Sequence, residues 1–133
     1  MKARTIKISF NNGSVPPSYA YRYEILFSEK SGNAELKIYK GYDTDEKIVF
    51  SEVRNFNVSV FRQLLFELPQ LETRTETLNM VGGSQRMISL VKDEFTENIM
   101  IDNDDKGGIS LFNRFLYLYS IDFSDIINKN INL

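Results

Sequence analysis

The chain has 133 residues, 16 Lys and Arg against 18 Asp and Glu, a net charge of −2, and no histidine. It also has no cysteine, so Ser–His and Cys–His catalysis, zinc sites and disulfides are closed to it. The size suits one globular domain over residues 1–133, and the balanced charge creates no field that draws in nucleic acid or an anionic membrane.

Met1-Lys2-Ala3-Arg4-Thr5 leads into a strand pattern without an apolar targeting core. Thr5 to Phe10 alternates, with Ile6, Ile8 and Phe10 on one face and Lys7 and Ser9 on the other, which predicts a half-buried strand. Asn11-Asn12-Gly13-Ser14 reads as a turn, and Val15-Pro16-Pro17 forces extended backbone after it. Tyr19 to Phe27 carries the clearest strand signal: Tyr19, Tyr21, Tyr23, Ile25 and Phe27 share a face. Ser31-Gly32-Asn33 turns the chain into a third strand over Glu35 to Tyr42, with Leu36 and Ile38 inward. Lys47 to Val53 makes a fourth.

The period then becomes helical. Val58, Phe61, Leu64, Leu65 and Leu68 form one stripe, with Asn57 or Ser59 as N-cap and Pro69 as terminator. Glu72 to Arg86 is polar and reads as a loop, with a short strand around Leu78 to Val81. Met87 to Val91 and Asn98 to Asp102 predict two more strands. Leu111, Phe112, Phe115, Leu116, Leu118 and Tyr119 make a wide helical stripe capped by Ser110, followed by a short turn through Ile127 and a frayed end. The order ββββ-α-ββ-α predicts an α+β fold: an antiparallel sheet with two helices packed on one face.

Asp102-Asn103-Asp104-Asp105-Lys106-Gly107-Gly108 invites a calcium reading, but either EF-hand register puts Lys106 or Gly107 at the fifth ligand position. A strand-to-helix turn with acids beside a helix N-terminus accounts for it better, and no metal or other cofactor is expected. Gly82-Gly83-Ser84 lacks the Lys-Ser/Thr pair of a phosphate loop and precedes a strand. Carboxylates remain the one catalytic kit, in Asp43, Asp45 and Glu46 or in Asp102 to Asp105, and both groups sit in short polar turns. The tyrosine ladder lacks the basic groove of a base-stacking platform, which leaves core packing or a protein-binding face.

The segment Pro16-Pro17-Ser18-Tyr19-Ala20-Tyr21-Arg22-Tyr23 resembles an opening found in small uncharacterised bacterial proteins. In element order the chain also resembles the emfourin-type bacterial metalloprotease inhibitors, with Ile6 to Gly13, Val58 to Leu68 and Met87 to Tyr119 as the corresponding parts. That resemblance implies an inhibitor. Asn11-Asn12-Gly13 and a Pro-Pro insertion stand where that family has a compact Gly-Gly turn, so no inhibitory residue carries over.

The residues therefore point to a non-enzymatic, cytoplasmic protein-binding domain, with no nucleic-acid or membrane partner and with a weak homodimer open to it. The expected docking surface gathers Val15, Pro16, Pro17, Tyr19 and Tyr21, joined by Gly82 and Gly83. An inhibitor or immunity-type protein and a small carboxylate-dependent hydrolase are the alternatives.

Overall fold

A computed structural model describes residues 4–13, 19–41, 46–68, 84–91 and 96–131. Its strands are β1 (Thr5–Asn11), β2 (Tyr21–Ser28), β3 (Asn33–Lys40), β4 (Lys47–Asn55), β5 (Gln85–Val91) and β6 (Thr96–Ile101). Its helices are α1 (Val58–Leu65), α2 (Lys106–Tyr119) and α3 (Phe123–Ile131). The strands form one six-stranded sheet in the order β4-β3-β2-β1-β5-β6, antiparallel at every pairing. The α+β class and the antiparallel sheet are as the alternation of apolar residues implies.

Because side chains alternate across a strand, the registers sort every residue to one of two faces. Ile6, Ile8 and Phe10 of β1 lie opposite Phe27, Ile25 and Tyr23 of β2, which continue to Ala34, Leu36 and Ile38 of β3. On the other side Ile8 meets Ile88 of β5, and Ile88 meets Ile99 of β6. This is the inner face, and α1, α2 and α3 contribute Phe61, Leu65, Phe112, Phe115, Leu116, Phe123 and Ile127 to the same buried cluster. Its centre is aromatic: Phe27 lies 5.8 Å from Phe115 and 5.9 Å from Phe61, ring centroid to centroid.

Asn57 caps α1, its side-chain oxygen accepting from the Val60 N–H at 3.2 Å. Ser110 does not cap α2. Asp105 does, accepting from the Gly108 N–H at 3.0 Å, so the helix starts a full turn earlier, at Lys106. Close packing explains Gly108: a Cβ there would stand 2.9 Å from Ile101 Cγ2 and 2.7 Å from Asp105 Oδ2. Asp104 and Asp105 both turn back onto Asp102, through N–H bonds of 2.9 Å to its carboxylate and 3.0 Å to its carbonyl. The acidic run is thus a strand-to-helix turn.

Several boundaries move. β3 runs over Asn33–Lys40 and not Glu35 to Tyr42, because Ser28 pairs with Asn33 and Tyr21 with Lys40, and β4 continues past Val53 to Asn55, which pairs with Asn33. β2 begins at Tyr21 and not at Tyr19, because Asn12 binds the chain on either side of Ala20. β5 takes in Gln85 and Arg86, since β1 continues through Asn11 and supplies partners for both. β6 runs over Thr96–Ile101, and Asp102 belongs to the turn. The chain ends in a true third helix through Ile131, where only a short turn was expected; burial of Phe123 and Ile127 against the sheet holds it. Among the described residues three helices, not two, cover the inner face. Pro69 and the strand expected at Leu78 to Val81 lie outside the described residues.

Candidate functional site

Antiparallel topology brings the end of β1, the start of β2, the end of β3, the starts of β4 and β5 and the β6–α2 turn to one end of the sheet. Of the residues expected to dock a partner, Val15, Pro16, Pro17, Gly82 and Gly83 lie outside the described residues. Tyr19 and Tyr21 are described, and they part company. Tyr19 is 70% exposed, whereas Tyr21 is half-buried against the core, its ring 5.7 Å from Phe10. Tyr23, the third of the ladder, is buried and stacks on Phe10 at 5.2 Å. Burial raises the Tyr23 hydroxyl far above the ordinary tyrosine range, and raises Tyr21 less far, with Arg86 opposing the shift in both.

The backbone around Tyr19 is fastened. The Asn12 amide donates to the Tyr19 carbonyl at 2.7 Å, and its oxygen accepts from the Tyr21 N–H at 3.0 Å. Gly41 donates to the Ala20 carbonyl at 2.9 Å, and Ala20 is buried. An exposed aromatic is thereby carried on a short segment bound at Asn12 and Gly41. Asn11, one residue back, accepts Arg22 and Gln85 as strand neighbours and donates to Gln85 Oε1 at 3.1 Å. The start of β5 and the tyrosine segment therefore meet at one strand end.

Among the described residues no helix packs on the outer face of the sheet, which holds a depression of about 300 Å³. Its floor is Ser9, a small residue between the longer Glu24 of β2 and Met87 of β5. Met100 extends the apolar wall, and Lys7 and Asn11 close the two ends along the strand. On the far wall Arg22 stacks over the Tyr39 ring at 3.7 Å and pairs with Glu46 through two 2.8 Å bonds. Glu24 receives the Tyr39 hydroxyl at 3.2 Å, with Arg22 at 3.6 Å and Lys7 at 3.9 Å. Sequence reasoning missed this hollow. Its signal, a serine flanked across strands by longer side chains, exists only once the register is known.

Three carboxylates are held as anions by their partners. Glu46 lies below its ordinary range because Arg22 hydrogen-bonds it, and Glu52 because the Tyr119 hydroxyl donates to it at 2.6 Å with Arg54 alongside. Glu29 is lowered to about 2 by Arg62, then by the Arg4 N–H and guanidinium. Among the described residues no three acidic side chains gather to hold a metal ion, and no helix is long and apolar enough to cross a membrane. Neither protein-family models nor curated proteins match the chain, so the resemblance in element order to emfourin-type inhibitors rests on the sequence alone.

Proposed function

We propose that this protein acts by binding another protein and not by catalysis, with Tyr19 as the anchor residue, in the cytoplasm. The observation that carries the reading is Tyr19 itself, a large exposed ring on backbone fastened by Asn12. Tyrosine buries much area for little rotamer entropy, and a fastened backbone lowers the ordering cost of association further. A general acid at neutral pH needs a raised carboxyl pKa, whereas Glu29, Glu46 and Glu52 are all displaced downward.

The test is a photo-crosslinking residue placed at Tyr19 and, as control, at Ile121, a comparably exposed apolar position outside the sheet. In extract of the native host, position 19 should give a discrete adduct that position 121 does not. Excess Tyr19→Ala protein should fail to compete for it, while excess unmodified protein succeeds. Identical adducts at both positions, or full competition by Tyr19→Ala, sink the proposal.

A further inference from the structure

The two edges of the sheet differ. β6 buries Ile99 and Ile101, whereas β4 exposes most of its length, with Ile48 at 55% and Val53 at 57%. The main-chain groups on the open side of β4 face no other described strand, a template for further pairing. A bulge breaks the β3–β4 register between Ile38 and Tyr39, where Ile38 meets Phe50 and Tyr39 meets Ile48. Bulges twist an edge away from neighbours, which spoils the first half of β4 as a template. The second half, Ser51–Asn55, pairs regularly with Asn33–Lys37.

We propose that Ser51–Asn55 pairs antiparallel with the same segment of a second copy, about a two-fold axis at Val53. The side chains choose both the occupant and the register. With Val53 on the axis, Val53 meets Val53, Glu52 meets Arg54 twice over, and Ser51 meets Asn55. Every opposed pair is complementary: apolar on apolar, carboxylate on guanidinium, hydroxyl on amide. Sliding the axis one residue sets Glu52 against Glu52 or Arg54 against Arg54, and like charges directly opposite destabilise. An axis at Ser51 sets Phe50 against Glu52 and draws the bulged half into the pairing.

Glu52 and Arg54 already project to one face, bonded to each other at 2.5 Å and to Tyr119, so the pattern is laid out before association. Opposed residues share a face, so the two helical layers fall on the same side of a continuous sheet. The overlap is short, which makes the dimer weak and reversible. This self-association is independent of Tyr19, which lies at a loop end of the sheet and not on this edge.

Sedimentation velocity between about 1 µM and about 500 µM protein tests it, that span covering weak association. Wild-type protein should pass from monomer to dimer. Glu52→Arg and Arg54→Glu, each shown folded by circular dichroism, should each raise the dissociation constant about tenfold or more. Mixed in equal amounts they should dimerise, because each then offers the other opposite charges at both positions. Val53→Lys, at an exposed site outside the core, should be monomeric whether or not the charge variants fold. A wild-type protein monomeric throughout, a Val53→Lys protein that still dimerises, or folded charge variants whose mixture stays monomeric would each overturn the proposal.

Discussion

The two faces of the sheet are built from the same strands and share nothing else. On β1, Ile6 and Ile8 are wholly buried, while the alternate residues Lys7 and Ser9 look onto the outer face. On β2, Ile25 and Phe27 enter the core, whereas Arg22 and Glu24 join a lattice with Lys7, Tyr39 and Glu46. The inner face derives its stability from area removed from water and from close packing. The outer face is laced by exposed ion pairs, each contributing little. Stability therefore resides in the inner row, and the outer row can vary at small cost, which is where a small hollow such as that over Ser9 is tolerated.

The comparison breaks most sharply at Phe115, which is wholly buried between Phe27 and Phe61. Phe115→Ala should cost about 3–5 kcal/mol in denaturant unfolding, the range for buried phenylalanine. A loss under about 1 kcal/mol would mean that the helical layer does not close the inner face.

Gly108 tests the seam where α2 meets β6. Helix propensity alone favours Gly108→Ala by about 1 kcal/mol. The Cβ, however, collides with Ile101 Cγ2 and displaces the Asp105 cap. The collision and the lost cap outweigh the propensity, so a net loss of about 1–2 kcal/mol is expected from chemical denaturation. A gain would show that the helix start is free to move off the sheet.

Glu29 separates electrostatic from apolar stabilisation. Its folded pKa of about 2 lies below the ordinary value of 4.5, so the unfolded chain binds the proton more readily. The contribution is complete above about pH 4.5 and is lost as pH falls toward 2. Thermal melts of the wild type should decline across that window, and Glu29→Gln should flatten that part of the decline. An unchanged acid limb in the variant would show that the Arg62 and Arg4 bonds add nothing net.

The smallest effect belongs to the outer face. Leu26 lies there among Lys7 and Glu35 and is partly exposed, so Leu26→Ala should change stability by no more than about 0.5 kcal/mol. Melting at a fixed pH suffices to check it, and a loss of about 2 kcal/mol or more would mean that something covers this face.

Much of this was legible in the residues because periodicity reports burial directly. The alternation in Ile6-Lys7-Ile8 and in Tyr23-Glu24-Ile25, and the helical spacing of Phe61, Leu65, Phe112 and Phe115, decided which side chains are inside. Capping at Asn57 was equally local. The start of α2 was not, since Asp105 and Ser110 are both good caps and only the approach of Gly108 to Ile101 selects the first. Nor was the third helix: Phe123 and Ile127 are too few to signal alone and gain their meaning from the sheet they cover.

Composition by itself closed off histidine and cysteine chemistry, and the apolar periods determined the α+β class and most of the core. Both depend only on what each residue is and on its neighbours along the chain. Tertiary structure alone decided the strand order, with β1 between β2 and β5, and hence that Gln85 meets Asn11 beside the tyrosine segment. It also separated exposed Tyr19 from half-buried Tyr21 and buried Tyr23, which the sequence pattern had put on one face. The reason is physical: alternation specifies which way a side chain points, while how much of it is covered depends on partners far along the chain.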